Sequence, residues 1–350
     1  MPHFELEYQV AELRLQQVFT IARGSKPSVR NVFVRLHADG LTGYGEAAPN
    51  RRYDETEVDV VNFLEALPDD FFDSVDNVMQ LSERLVVHVS RGSPPKQVRS
   101  ARVAIEMAYL DWWAKKRDLP LWKLWGAADR TGPVTTFTIG LDELDVMQQK
   151  VEEAADYPVL KVKLGTCRDR QIIEALRRVT DKPLRVDANE GWKTLEEAKA
   201  IIGFLAGQGI DMVEQPMPAR CFEEMTELKK YSPIPLCADE SFEGRENLRN
   251  LSRAFDVINI KLMKTGSLVK SKQLIELAEK VGLEVMIGCM IESSLANSAG
   301  ALLSLWADYA DLDGHLLIRD DPFEGLKLDK EKRILVSNDP GLGVKAVTEL

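Results

Sequence analysis

Charged residues recur at regular intervals inside short apolar runs in the second half of this 350-residue chain. The residues are Lys163, Asp187, Glu214, Asp239 and Lys261, and the steps between them are 24, 27, 25 and 22 residues. A buried strand rarely carries a charge that has no partner. Amines and carboxylates that return with this spacing could bind a cation and transfer a proton, provided that the fold brings them together.

Three of these groups are carboxylates, which repel one another by several kcal/mol when they share a poorly solvated cavity. A divalent cation would remove that repulsion. The four histidines do not cluster and the four cysteines form no CxxC pair, so a zinc site is disfavoured. Ligation by oxygen alone favours Mg²⁺, with Mn²⁺ as a substitute.

Lysines flank the acids on both sides. Lys161 and Lys163 are two residues apart, so they point to the same face of a regular strand, whereas Lys261 approaches from the opposite side. Neighbouring ammonium groups lower each other's pKa, which helps one of them to act as a base near neutral pH. A carbon acid held between Lys163 and Lys261 could lose a proton to one lysine and regain one from the other, so its configuration would invert.

Each of these residues, taken singly, could be a solvated charge on a surface loop, which is where most charged side chains lie. The shared register of all six makes that interpretation the weaker one. Asp181, Glu240 and Lys264 lie just outside the aligned positions, and we assign them to the solvated surface of βα loops.

The apolar runs predict strands. After Gly132-Pro133 each run is followed by a charged stretch with helical periodicity, which is the pattern of βα units. The predicted strands are Thr136–Ile139, Leu160–Leu164, Pro183–Asp187, Met212–Gln215, Leu236–Asp239, Val257–Leu262, Val285–Cys289 and Tyr309–Asp313. Eight such units within about 180 residues favour a closed (β/α) barrel, in which the strand ends meet at one mouth. A doubly wound sheet is the alternative, but no GxGxxG sequence follows any run.

The pattern before the repeats is different. Residues 1 to about 60 alternate as strands and turns, and residues from about 57 to 125 have helical periodicity. We therefore predict an α+β domain over 1–125, a barrel over 126–318 and a closing segment over 319–350 that packs back on the first domain.

The composition limits the partners and the compartment. Apolar residues make up 45% of the chain, enough for a sizeable core, and the net charge of −11 makes nucleic acid and anionic membranes unfavourable partners. The chain shows no leader peptide and no long apolar run, and its cysteines lie far apart. We expect a cytoplasmic protein.

Five motifs resemble those of the enolase superfamily, and more narrowly its muconate-lactonising subgroup. They are Leu160–Gly165, Val186–Glu190, Val213–Pro216, Ala238–Ser241 and Asn259–Gly266. The resemblance implies an α/β fold, namely a TIM-like (β/α)7β barrel with an N-terminal α+β capping domain that the C-terminal segment completes. It also implies Mg²⁺ on Asp187, Glu214 and Asp239.

In such a family the first step removes a proton α to a carboxylate. The resemblance therefore implies that Lys163 and Lys261 are the acid/base pair and that Lys161 steadies the substrate carboxylate and assists Lys163. The enolate that forms must be stabilised more strongly than the ground state, because only differential binding accelerates the step.

Two further stretches resemble dipeptide epimerases. Asp311 and Asp313 match an Asp-x-Asp motif that receives the α-ammonium group of a dipeptide. The loop Phe19–Lys26 resembles the corresponding loop of L-Ala-D/L-Glu epimerases, in which an arginine pairs with the glutamate carboxylate. Arg23 is our candidate for that arginine, with Lys26, Arg30, Arg51 and Arg52 as alternatives. The positions expected to line the substrate are Thr136, Cys289 and Ile291, and no histidine partner supports Cys289 as a nucleophile.

These expectations define an Mg²⁺-dependent isomerase, a dipeptide epimerase that inverts the C-terminal residue of L-Ala-Xaa, with L-Ala-D/L-Glu as the first choice of substrate. The alternatives within the subgroup are a cycloisomerase, an o-succinylbenzoate synthase and an N-acyl amino acid racemase. A non-catalytic barrel that binds an acidic ligand is a third class. The resemblance also leads us to expect a homo-oligomer.

Overall fold

A computed structural model describes residues 2–73, 75–91 and 98–347. Residues 1, 74, 92–97 and 348–350, which belong to the predicted first and last units, lie outside the described residues.

An antiparallel sheet and helices form the N-terminal domain, as the α+β prediction requires. The elements are β1 (Glu5–Ile21), β2 (Gly24–Ala38), β3 (Leu41–Ala47), α1 (Glu57–Glu65), α2 (Val78–Arg91) and α3 (Arg99–Lys115), with a 3-10 turn at Arg51–Tyr53. Helix α3 lies directly on the sheet because Gly43 and Gly45 have no side chains. A Cβ atom on Gly43 would lie 1.9 Å from the carbonyl oxygen of Ala108 in α3.

Eight parallel strands form the second domain in the order of the chain. The strands are β5 (Phe137–Ile139), β6 (Leu160–Lys163), β7 (Leu184–Asp187), β8 (Ile210–Glu214), β9 (Leu236–Ala238), β10 (Val257–Lys261), β11 (Glu284–Gly288) and β12 (Tyr309–Asp311). A parallel bridge between Thr135 and Ala310 joins the first strand to the last. The sheet is therefore closed, and the doubly wound alternative is wrong. The eighth strand ends at Asp311 rather than Asp313.

Helices between the strands cover the barrel. They are α5 (Leu144–Glu153), α6 (Asp169–Leu176), α7 (Leu195–Leu205), α8 (Phe222–Tyr231), α9 (Leu248–Leu251), α10 (Leu262–Thr265), α11 (Leu268–Lys280) and α12 (Ser294–Ser304). The remaining elements are α4 (Leu121–Leu124), β4 (Thr131–Val134), β13 (Phe323–Glu324), β14 (Lys327–Leu328), β15 (Arg333–Leu335), β16 (Lys345–Ala346) and a 3-10 turn at Gly314–Leu317. In the described part of the chain, no helix has both the length and the apolar character needed to cross a membrane.

Carboxylates of the N-terminal domain cap two barrel helices. Glu106 of α3 accepts hydrogen bonds from the backbone of Val269 and the hydroxyl of Ser267, both 2.9 Å long, at the start of α11. Glu46 of β3 accepts from the backbone of Ser293, at 3.0 Å, at the start of α12. Helix N-termini have unpaired N–H groups and a partial positive charge, so these bonds hold the N-terminal domain at the carboxyl end of the barrel.

The β1–β2 hairpin reaches over the barrel mouth. Its first strand bridges Leu15 to Ile318, just after the 3-10 turn at Gly314–Leu317. Near the hairpin tip, the carbonyl oxygen of Thr20 accepts a 2.9 Å bond from the backbone of Leu141 in the loop after β5. The tip is thus held between the first and last barrel strands.

The C-terminal segment contacts both domains. Strand β15 pairs with β4 before the barrel. Further on, the backbone of Leu342 donates a 2.8 Å bond to Asp111 of α3.

Candidate active site

Three carboxylates converge at the ends of adjacent strands. Asp187 and Glu214 end β7 and β8 and are paired in the sheet register, and Asp239 follows β9 directly. Oxygen atoms of the three side chains lie within 4.8 Å of one another, and all three are buried. Opposite ligands of one Mg²⁺ ion are about 4.2 Å apart. Three buried carboxylates at this separation fit a hard divalent cation.

Lysines from both flanks contact these acids. Lys163 Nζ donates to Asp187 at 2.6 Å, and Lys261 Nζ donates to Asp239 at 2.9 Å. Their strands, β6 and β10, are four apart in an eight-stranded barrel and therefore face each other across it. Lys161 lies deeper, and its Nζ is 2.6 Å from an oxygen of Glu214.

Opposite charges control protonation in this cluster. Burial alone would raise the pKa of Asp239, but the ammonium groups of Lys261 and Lys264 lower it well below its usual range. Burial would likewise lower the pKa of Lys161, but Asp311 and Glu214 raise it well above the usual lysine range. The acids outweigh the repulsion between the lysines, so the expectation of a lowered pKa is wrong for Lys161 and Lys261, and ion pairs hold the cluster together.

Lys264 and Glu240 lie in or beside the cluster, so their assignment to the protein surface was wrong. Lys264 is fully buried, and its Nζ donates to Asp239 Oδ1 at 2.6 Å. Helix α10 begins directly after β10 and turns Lys264 back toward the mouth. Lys264 follows Lys261 by three residues, a spacing that places two side chains on one side of a helix and that could have indicated its position. Glu240 is only 3% exposed, and burial, aided by Asp239, raises its pKa to about 7. Asp181 is exposed, in agreement with its assignment.

Amide side chains form hydrogen bonds with two of the metal-site residues. The Asn259 Nδ2 group donates to Glu214 at 2.8 Å, and the Gln215 side chain accepts a 3.0 Å bond from the backbone of Asp239. Both amides lie in the motifs that carry the charges, but nothing in their spacing indicated contact.

Asp311 and Asp313 lie beside Lys161 at the end of the last strand. Asp311 accepts bonds from Lys161 at 2.6 Å and from the Thr136 hydroxyl at 2.5 Å. Asp313 accepts a 2.6 Å bond from the backbone of Thr138, and burial, with the charge of Asp311, raises its pKa to about 6. Thr136 is fully buried behind Asp311, so the cleft is lined at this point by Thr138 and not by Thr136.

A cleft of about 480 Å³ opens onto the lysines and the acid pair. Cys289 and Ile291 lie in its wall. The Cys289 sulfur lies 3.4 Å from the carbonyl oxygen of Asp311, and burial raises the pKa of the thiol well above its usual range. The thiol is therefore neutral, which agrees with a lining role and not with a nucleophile.

Basic residues form the outer wall of the cleft. Arg23, with 35% of its side chain exposed, donates to Glu240 at 2.5 Å and to the carbonyl oxygen of Asn189 at 3.1 Å. The hairpin tip is thus tied to the loops after β7 and β9. Lys26 and Arg51 line the same wall and form no ion pair with any residue that the structure describes. Burial, and then the charges of Arg23 and Arg51, lower the pKa of Lys26.

Two family models match the chain. Residues 7–126 match the mandelate racemase / muconate lactonizing enzyme N-terminal domain, and residues 145–349 match the enolase C-terminal domain-like family.

Relatives match along nearly the whole chain. The L-Ala-D/L-Glu epimerase of Bacteroides thetaiotaomicron is 40% identical over 96% of this chain and 86% of its own length. The substrate-liganded L-Ala-D/L-Glu epimerase of Bacillus subtilis superposes with a TM-score of 0.87 at 27% identity, covering 99% of both chains. The dipeptide epimerase of Enterococcus faecalis, solved with Mg and L-Leu-L-Tyr, has the same TM-score at 30% identity and covers 98% of this chain and 99% of its own.

Proposed function

Because the chain belongs to the enolase superfamily, we propose that it is a dipeptide epimerase that inverts the α-carbon of the C-terminal residue of L-Ala-Xaa. The observation that carries this proposal is the placement of Lys163 and Lys261 on facing strands, each against a different carboxylate of the acidic triad. Two bases on opposite flanks can exchange a proton between the two faces of one carbon atom.

Asp187, Glu214 and Asp239 would hold Mg²⁺, or Mn²⁺ in its place. When bound, the cation supplies positive charge beside the substrate carboxylate, which makes the adjacent C–H bond more acidic. Lys161, whose ammonium group already bridges Glu214 and Asp311, would orient that carboxylate.

Lys163 and Lys261 would divide the proton transfer between them. The lysine that is neutral removes the α-proton from its own side, and the protonated lysine on the other side delivers a proton to the opposite face. In the reverse direction the two lysines exchange roles. Both side chains are buried except where they line the cleft, so a bound substrate that fills the cleft would exclude water from the transfer.

The acid pair would receive the free ammonium group of the dipeptide. Asp311 is already paired with Lys161, whereas Asp313 is bound only through the backbone N–H and side chain of Thr138 among the described residues. A cation near Asp313 would favour its ionised form, so Asp313 is the principal partner of the ammonium group.

The basic wall favours an acidic second residue, so L-Ala-D/L-Glu is the proposed substrate. The Arg23 guanidinium already donates a hydrogen bond to Glu240, so it would have to bind Glu240 and the glutamate carboxylate of the substrate at the same time. Lys26 and Arg51 are the alternatives. The cleft has walls from both the 1–125 and the 126–318 units, and we propose that the two units act as one site.

The reaction can be tested by isotope exchange. In deuterium oxide with Mg²⁺, L-Ala-L-Glu should acquire one α-deuterium and yield L-Ala-D-Glu, followed by NMR and chiral chromatography. The absence of exchange with every member of a dipeptide library would refute the proposal.

Lysine variants test the two-base arrangement. Lys163→Ala and Lys261→Ala should each lower the rate of epimerisation by about 10²–10⁴. Each variant should still exchange the α-proton of one diastereomer, because the remaining lysine serves one face. Lys272→Ala, a change on the outer helix α11, is the matched control and should keep full activity. Loss of exchange from the same diastereomer in both variants would place the two lysines on one flank.

A further inference from the structure

A second cleft, of about 510 Å³, lies between the N-terminal domain and the outside of the barrel. Its walls come from α2, from α3 and from the start of α11, and it shares no lining residue with the catalytic cleft. Residues of both domains therefore meet around a space that the proposed reaction does not use.

A buried arginine that forms no hydrogen bond through its side chain to any described residue faces this cleft. Arg102 of α3 is only 8% exposed, and its Nε is buried without a hydrogen-bond partner. Among the described residues its guanidinium forms no hydrogen bond and no ion pair. Gly266 leaves room for the group, because a Cβ atom there would lie 2.5 Å from Arg102 Nη2. Burying a charged group without a hydrogen-bond partner costs free energy, so an anion bound in the cleft would stabilise Arg102.

A second cation points to the same space. Lys270, on the first turn of α11, lines the cleft and has no ion pair in the described part of the chain. Burial, and then the charge of Arg102, lower its pKa. Gln273, one turn further along α11, adds an exposed amide to the same wall.

The nearby carboxylates are already engaged. Glu106 accepts from Ser267 and Val269, and Glu55 accepts from the backbone of Arg99 at 2.8 Å. The segment that links α2 to α3, residues 92–97, contains no acidic residue. Burial lowers the pKa of Arg102 and the charges of Glu55 and Glu106 raise it, but among the described residues no carboxylate forms a hydrogen bond or an ion pair with Arg102 or Lys270.

We propose that this cleft binds a phosphate group, held by the Arg102 guanidinium, the Lys270 ammonium and the Gln273 amide. A guanidinium fork and a second cation match the double negative charge and the several oxygens of a phosphate. The first-turn N–H groups of α11 are taken by Glu106 and Ser267, so the ligand depends on side chains. Because Arg102 belongs to the N-terminal domain and Lys270 to the barrel, the ligand would fasten the two domains together.

Calorimetric titration with inorganic phosphate, at constant ionic strength, tests the proposal. We expect one saturable site per chain. Lys270→Met should weaken binding at least about tenfold, as for the loss of one charge-assisted hydrogen bond. Lys272→Met removes an equal charge from the same helix, where Lys272 pairs with Glu276, and should leave the affinity unchanged. Glu83→Gln removes the exposed acid that lines the cleft and should strengthen binding.

Several results would overturn the site. The site is refuted if the parent shows no saturable binding, or if Lys270→Met binds phosphate as tightly as the parent. The assignment of phosphate as the ligand is refuted if acetate binds as tightly. Arg102→Met should abolish binding; should that variant fail to fold, Lys270→Met decides the question. Glycerol phosphate, titrated in parallel, separates the sources: tighter binding than inorganic phosphate identifies a phosphomonoester as the ligand, and weaker binding identifies free phosphate. Epimerisation should be unchanged in Lys270→Met, so failure of this site and failure of the proposed reaction are distinguishable.

Discussion

Glu292 makes the stability of this protein depend on pH. It is buried between β11 and α12, and one of its oxygens accepts a 2.8 Å bond from the backbone of Met290. Burial, and then the charge of Glu46, raise the pKa of Glu292 to about 8 from an ordinary value of 4.5. The folded state thus holds this proton more tightly than the unfolded chain does, so the stabilisation is complete below pH 4.5 and is lost as the pH rises through about 8.

The size of the effect follows from that difference. One pKa unit corresponds to about 1.4 kcal/mol, so the full loss is about 5 kcal/mol, of which about 4 kcal/mol falls between pH 5 and pH 9. Glu292→Gln keeps an acceptor for Met290 and cannot ionise. Relative to the parent, the variant should therefore gain about 4 kcal/mol of unfolding free energy over this pH interval.

Chemical denaturation followed by circular dichroism at pH 5, 7 and 9 measures this difference. Glu174→Gln, at an exposed position of α6, is the matched control, and its stability should run parallel to that of the parent at all three values. If the curve for Glu292→Gln also runs parallel to that of the parent, Glu292 is ionised in the folded protein and the reasoning fails.

Three other outcomes are expected. Chelation with EDTA should abolish epimerisation and added Mg²⁺ should restore it, as followed by chiral chromatography; an unchanged rate after chelation would remove the cation from the mechanism. Asp313→Asn should lower kcat/KM for L-Ala-L-Glu by about 10- to 100-fold through loss of the ammonium partner, whereas exposed Asp181→Asn should not, and equal rates for both variants would contradict the role of Asp313. Gly43→Ala should lower the unfolding free energy by about 2–3 kcal/mol, because its Cβ would meet a backbone oxygen at 1.9 Å. In denaturant titrations Gly207→Ala should lower the unfolding free energy much less, because a Cβ atom there would lie 4.0 Å from its nearest neighbour, the carbonyl oxygen of Phe204. Similar losses of unfolding free energy in the two variants would show that α3 can move away from the sheet.

The periodic part of the site was predictable from the sequence. Asp187, Glu214 and Lys261 end apolar strands, and the repeat of one βα unit places all strand ends at the same mouth. The eight predicted runs are confirmed as strands because a buried parallel strand must be continuously apolar and a covering helix must be amphipathic. No distance information is needed for that inference.

Residues outside the period were not predictable in this way. Lys264 looked like a surface residue because it follows the strand, yet a four-residue helix turns it onto Asp239. Thr136 was expected in the cleft but supports Asp311 from behind, because the side chain two residues further on, Thr138, reaches the opening. These outcomes depend on where a strand ends and the next turn begins, and sequence patterns locate such boundaries only to within a few residues.

The sequence by itself determined the barrel, the acidic triad and the facing lysines, because these follow from repeats whose geometry is nearly the same in each unit. Only the tertiary structure showed that the β1–β2 hairpin reaches over the mouth of the barrel and that a second cleft lies between the two domains. Arg23 pairs with Glu240, which is 217 residues away in the sequence. Arg102 lies beside the start of α11, and its Nε has no hydrogen-bond partner among the described residues. Such contacts arise where the two domains pack against each other. The spacing of apolar and charged residues within each domain predicts its own strands and helices, but it does not predict how the domains pack.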